Sequence, residues 1–131
     1  MMSLRFDGVS CRFGGRLAVD DLTLDIPDGA KVCLLGASGC GKTTTLRLAG
    51  GMETPTSGKI YLRGACVSTP EKVAPPETRG LGFLFQDHAL FPHLDVRANI
   101  GFGITQLPDA ERRARIDALL EQVDMLSLIH I

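Results

Sequence analysis

The sequence predicts an α/β fold, and three observations carry that prediction. Short apolar runs alternate with Gly, Pro and Asp breaks along the chain. One run, Lys31 to Leu35, is compact and apolar, the pattern of a strand buried on both faces of a parallel sheet. A glycine-rich turn follows it and leads into a helical stretch, Lys42 to Gly50.

The elements follow in order. Leu4 to Val9 and Leu22 to Ile26 alternate apolar and polar residues and read as short strands. Asp20-Asp21 and Pro27-Asp28-Gly29 read as the turns around the second of them. Gly51 suits the left-handed position that ends the Lys42–Gly50 helix. Pro55-Thr56-Ser57-Gly58 is a turn, and Lys59 to Leu62 and Leu81 to Phe85 are further strands. Arg63 to Gly80, with Pro70, Pro75 and Pro76, reads as a loop. Asp109 to Val123 is a helix in which Ile116, Leu119, Leu120 and Val123 share one face.

Composition bounds the function. The 131 residues are room for one domain, 44% of them apolar and 22% charged, which excludes a disordered or fibrous chain. A net charge of −1 argues against a general nucleic-acid binder. The Arg112, Arg113 and Arg115 cluster lacks interleaved aromatics and reads as a solvated helix face. No run approaches the ~20 apolar residues of a membrane span, and the N-terminus lacks the apolar core of a secretion signal. Cys11, Cys33, Cys40 and Cys66 show no C-x-x-C spacing, so free thiols in a reducing cytoplasm are expected rather than zinc.

The segment Gly36-Ala37-Ser38-Gly39-Cys40-Gly41-Lys42-Thr43 fits G-x-x-x-x-G-K-[ST] at every fixed position. Glycines let such a loop curl with its N–H groups inward, where a Cβ would obstruct a phosphate. The helix that follows turns its positive end toward the anion. Lys42 is then placed for the β and γ phosphates, the Thr43 hydroxyl for Mg²⁺, and Thr44 for the α phosphate. A chance match in a chain of this length is on the order of a few per thousand. The loop specifies a nucleoside triphosphate but not which one.

The flanking segments resemble the ATP-binding subunit of ABC transporters, from the N-terminus through about Met125. Arg12-Phe13-Gly14-Gly15 followed by Ala18-Val19-Asp20-Asp21-Leu22 is similar to that family's opening. Gly36 to Thr45 fits its P-loop, and Pro55-Thr56-Ser57-Gly58 the turn after its first helix. Phe85-Gln86-Asp87-His88-Ala89-Leu90-Phe91-Pro92-His93-Leu94 resembles its Q-loop. The resemblance implies a P-loop NTPase of the ABC type, here the N-terminal portion, with an antiparallel β subdomain and a P-loop core. It implies ATP and Mg²⁺ as ligands. Phe13 becomes the aromatic that stacks on adenine, and Gln86 a ligand of Mg²⁺ or holder of the attacking water. Ala89, Leu90, Phe91 and Leu94 become contacts for a membrane permease, a second ATP-binding subunit completes a dimer, and the location is the cytoplasmic face of the membrane. The Q-loop flavour suggests import of ferric iron, polyamines, sulfate or sugars, and Pro75-Pro76-Glu77-Thr78-Arg79-Gly80 leans toward the first two.

The family's remaining motifs are expected elsewhere. The chain has no Ser-Gly-Gly and no apolar strand ending in Asp-Glu after the P-loop. Leu17-Ala18-Val19-Asp20-Asp21 imitates such a strand but precedes the P-loop and reads as a turn. His130 lies too early to be the switch histidine. Residues 1–125 therefore read as a partial ABC domain, and Leu126 to Ile131 as a tail foreign to the pattern. A parent protein that hydrolyses ATP, with a fragment that does not, is the leading expectation; the alternatives are a purely binding fragment or an ABC ATPase without a membrane partner.

Overall fold

A computed structural model of the chain describes residues 2–37, 39–85 and 90–123. It divides into two compact units, Met1–Phe83 and Leu84–Ile131. No helix of the described residues is long and apolar enough to cross a membrane.

The first unit is built on a long hairpin, β1 (Met2–Phe13) and β2 (Arg16–Pro27). Helix α1 (Lys42–Gly50) follows, then β3 (Ser57–Leu62) and β4 (Ala65–Ser68). The four strands are all antiparallel, in the order β2-β1-β3-β4. Both hairpin strands run well beyond the expected bounds because they pair with each other over nearly their whole length.

A bulge explains how β1 meets the core. Phe6, Val9 and Cys11 are all buried, although strict alternation after Phe6 would bury residues 8 and 10. The register shifts between Phe6 and Val9, where Gly8 takes a left-handed φ of 57°, and the inward set moves by one residue. Asp20-Asp21, expected as a turn, lies inside β2 instead; Asp21 is left-handed at φ 49°, a conformation its short side chain tolerates. Hydroxyls take up the backbone donors at this irregularity: Asp21 N–H donates to Ser10 Oγ at 2.9 Å and Gly8 N–H to Thr23 Oγ1 at 3.1 Å. Leu48 of α1 closes the core over Phe6, Val9, Cys11, Val19 and Ile60.

The Arg63 to Gly80 segment, expected as a loop, contains β4 and a 3₁₀ turn at Pro76–Thr78. It is organised around Arg79, which is 1% exposed. Its guanidinium donates to the carbonyls of Ala49 (3.2 Å), Val67 (3.1 Å) and Ala74 (2.9 and 3.0 Å) and to Ser68 Oγ (2.6 Å). Its own carbonyl accepts from the Arg63 guanidinium. Burial lowers the Arg79 pKa from the ordinary arginine value, since desolvation disfavours the charged form.

Two expected strands do not form. Lys31 to Leu35 and Leu81 to Phe85 have no regular strand structure, and Leu35 and Leu84 are 88% and 80% exposed. A strand buried on both faces of a parallel sheet needs a neighbour on each side, and every strand pair among the described residues is antiparallel.

The second unit contains α2 (Val96–Gly101), a 3₁₀ turn (Phe102–Ile104) and α3 (Asp109–Gln122). Asp95 caps α2, accepting from the Ala98 N–H at 2.7 Å. Helix α3 falls where the sequence places it, but its apolar face is half realised: Ile116 and Leu120 are buried while Leu119 and Val123 are exposed. Arg113 and Arg115 are solvated, and Arg112 pairs with Asp109 at 2.8 Å. Residues 124–131, including the Leu126–Ile131 tail, lie outside the described residues.

Candidate functional site

The glycine-rich loop sits between the hairpin and α1. Gly39 and Gly41 are left-handed, at φ 83° and 95°, and Gly41 is the residue that opens α1. At Gly41 the need for glycine is a matter of packing: a Cβ there would strike the carbonyl oxygen of Ala18 in β2. At Gly36 a Cβ would come within 2.7 Å of Cys40 Sγ, a side chain that can turn away. The P-loop thus rests directly on the first residues of β2.

The N-terminus of α1 is open to an anion. Among the described residues no side chain caps it, and its first turn carries no acid. The Lys42 ammonium lies back over the loop, donating to the carbonyls of Gly36 and of Ala37, the latter at 3.2 Å. The three threonines divide by environment. Thr45 is buried and its hydroxyl donates to the Gly41 carbonyl at 2.8 Å. Thr44 is half-buried, and Thr43 is exposed. Glycine backbone in left-handed conformation, an uncapped helix start, a lysine and an exposed hydroxyl form a donor set suited to a phosphate chain and a hard cation. Ser38 lies outside the described residues.

Phe13 ends β1 at the hairpin tip and is 46% exposed, so it is not spent in the core. Across the Gly14-Gly15 turn it faces Arg16, whose guanidinium donates to the Gly39 carbonyl at 2.9 Å. In the sequence Arg16 only interrupts the apolar run before Asp20-Asp21, and its position directly after two glycines is the one local signal of a role at the loop.

Gln86 and Ala89 lie outside the described residues. Of the other expected permease contacts, Leu90 is exposed while Phe91 and Leu94 are half-buried. Phe91 stacks on Phe102 with centroids 4.3 Å apart and meets the edge of His93 at 6.0 Å. Asn99, also unremarked in the sequence, binds this turn: its Oδ1 accepts from Phe91 N–H at 3.0 Å. Its Nδ2 donates to the carbonyls of Phe91 (3.1 Å), Leu94 (3.0 Å) and Asp95 (2.9 Å).

A phosphate loop on an α helix, beside an antiparallel hairpin with an aromatic tip, defines a nucleotide-binding protein of the P-loop class. The family model described as ABC transporter matches residues 19–130, and the chain belongs to that family, as an ATP-binding domain. It is 42% identical over 132 residues to the xylose/arabinose import ATP-binding protein XacJ of Haloferax volcanii, covering 98% of this chain and 33% of that protein. It is 46% identical over 119 residues to the Fe(3+) ions import ATP-binding protein FbpC of Photorhabdus laumondii, covering 89% and 33%. Among solved structures, the dimeric post-hydrolysis state of the ATP-binding cassette MJ0796 bound to ADP and Pi superposes with a TM-score of 0.77 at 26% identity, covering 92% of this chain and 57% of that one. The fold is shared too with cbiO1 of Clostridium perfringens, at a TM-score of 0.79 and 24% identity over 98% and 53% of the two chains. The chain spans about a third of the length of the import proteins it matches.

Proposed function

We propose that this chain is the nucleotide-binding part of an ATP-hydrolysing subunit that powers solute import. The observation that carries the reading is the phosphate cradle: left-handed Gly39 and Gly41, an uncapped α1 and Lys42 at its start. The reading of import is supported by relatives named as import ATP-binding proteins, for xylose/arabinose, sulfate/thiosulfate and Fe(3+) ions.

Backbone N–H groups at the start of α1 bind the phosphate chain, and Lys42 leaves the Gly36 and Ala37 carbonyls for the β and γ phosphates. Thr44 would serve the α phosphate, and Thr43, which is exposed, would hold Mg²⁺ together with Gln86. Mg²⁺, when bound, neutralises charge developing on the transferred phosphoryl group. Phe13 offers adenine an apolar face without reading its edges. Lys42 and Gln86 are the residues that would touch the reacting phosphoryl group and the attacking water.

The whole protein pairs with a second ATP-binding subunit and docks on a permease at the cytoplasmic face, with Ala89, Leu90, Phe91 and Leu94 in the contact. The cargo belongs to the range of the relatives, which spans pentoses, sulfate, ferric iron and polyamines. Taken alone, the 131 residues bind ATP without turnover, because no Asp-Glu strand follows the P-loop to orient water.

Calorimetric titration with Mg-ATP, with phosphate release followed in parallel, tests this. Binding by the chain, its loss in Lys42→Ala, and no phosphate release are expected. Equal binding by the variant would refute the cradle, and phosphate release above background would refute the need for further residues.

A further inference from the structure

The two halves of the candidate nucleotide site lie on different elements. The aromatic platform is the tip of the β1–β2 hairpin, and the phosphate loop precedes α1. A ligand that occupies both must find them at a set separation.

The tip has little of its own to hold it. Its turn is Gly14-Gly15, and among the described residues no heavy atom beyond its chain neighbours lies within 4 Å of where a Cβ would stand at either residue. Gly14 is left-handed at φ 58°. Arg16, paired with Phe13 across this turn, reaches from the strand to the Gly39 carbonyl at 2.9 Å. Two residues further along the same strand, the Ala18 carbonyl abuts Gly41. The first contact is made by a side chain and the second by a backbone carbonyl of the edge strand, so β2 meets the loop twice, at Gly39 and at Gly41. The inner contact packs the loop, and the outer one, at the tip, is polar.

We infer that Arg16 is a positioning residue: its bond to Gly39 sets the separation of the Phe13 ring from the phosphate cradle, so that base and triphosphate of one nucleotide are held together. The inference rests on the reading of Phe13 and the P-loop given above. It assigns Arg16 no contact with the phosphates themselves. The guanidinium is already engaged by the loop carbonyl, and its effect falls on ligands that carry a base.

The test compares Mg-ATP with inorganic tripolyphosphate, which has the phosphates and no base. Binding to the 131-residue chain is measured by calorimetry at an ionic strength where the Debye length is about 8 Å, so that loss of one exposed charge counts little. Arg16→Ala is expected to weaken ATP about three- to tenfold and to change tripolyphosphate less than about twofold. Arg16→Lys, which keeps a donor, is expected to recover most of the ATP affinity. In a Phe13→Ala background, Arg16→Ala is expected to have no further effect on ATP, the signature of two residues acting through one another. Equal weakening of both ligands would make Arg16 a phosphate contact and overturn the inference, as would unchanged ATP binding or additive effects with Phe13→Ala. Wild-type chain that binds neither ligand would instead overturn the cradle. Wild-type chain indifferent to Phe13→Ala would overturn the adenine platform, and the inference with it.

Discussion

Asn99 and Phe91 exchange hydrogen bonds as two strand residues would: the Asn99 amide accepts from the Phe91 N–H at 3.0 Å and donates to the Phe91 carbonyl at 3.1 Å. The same Nδ2 also lies 3.0 Å from the Leu94 carbonyl and 2.9 Å from that of Asp95. One side chain from the first turns of α2 thereby builds the 91–95 turn. Replacing it with alanine should cost ~1–2 kcal/mol locally and release the Phe91 amide to exchange. Asn99→Asp should be worse, because an acceptor-only carboxylate would face three carbonyl oxygens. Hydrogen exchange at Phe91 measures both; protection equal to wild type in Asn99→Asp would contradict the assignment.

Gly41 and Gly36 should separate under substitution. Gly41→Ala must place a Cβ against the Ala18 carbonyl, at a φ of 95° that L residues resist. Among the described residues, Gly36→Ala comes closest to the Cys40 thiol, which can rotate. We expect Gly41→Ala to lose ~2 kcal/mol or more of stability together with ATP binding, and Gly36→Ala to lose under ~1 kcal/mol. Denaturant unfolding of the two variants side by side decides this.

Arg79 should be irreplaceable by lysine. Its planar fork reaches Ala49, Val67, Ser68 and Ala74 together, and an ammonium has neither the geometry nor enough donors. Arg79→Lys is expected to destabilise the first unit by on the order of 2 kcal/mol, and Arg79→Met by ~3 kcal/mol or more, since buried carbonyls lose their donors. A thermal midpoint for Arg79→Lys matching wild type would show that the network is not needed.

Cys11 predicts an alkaline limit. Burial first, and the nearby charge of Glu53 second, raise its thiol pKa above the ordinary value. The unfolded thiol ionises first as pH rises, so stability falls from the ordinary thiol pKa upward and is unaffected by this group below it. Cys11→Ala should flatten that alkaline loss in denaturant titrations. In native protein, iodoacetamide should modify the exposed Cys33, Cys40 and Cys66 and spare the buried Cys11.

Local signals were legible in the sequence, and long-range ones were not. Helix α1 and its Gly51 terminator follow from composition within a few residues, and so does the glycine loop ahead of them. Helix α3 was readable for the same reason, though periodicity could not say that Leu119 would stay exposed. The 31–35 run has strand composition and no strand structure, because a strand exists only with a neighbour and apolar composition does not reveal whether one is there. Strand β4 was hidden among prolines, its order coming from pairing with β3. Arg79 lies in a stretch that reads as a loop, and nothing local to it announces that carbonyls from three other segments converge there. In the site itself, the motif named the phosphate residues, while the contacts that seat the loop on β2, through Arg16 and Ala18, depend on tertiary approach.

The Arg79 network also has a consequence in time. The carbonyl of Ala49, at the end of the helix that begins with Lys42, takes its donor from a residue 30 positions later. As the chain emerges from a ribosome, N-terminus first, the last carbonyls of the nine-residue α1 stay without this donor until Arg79 has followed them out. By then Val67, Ser68 and Ala74 are also available, and a cation that must lose its water gains most by meeting all of them at once. The last turn of α1, β4 and the segment after it should therefore be secured in one step.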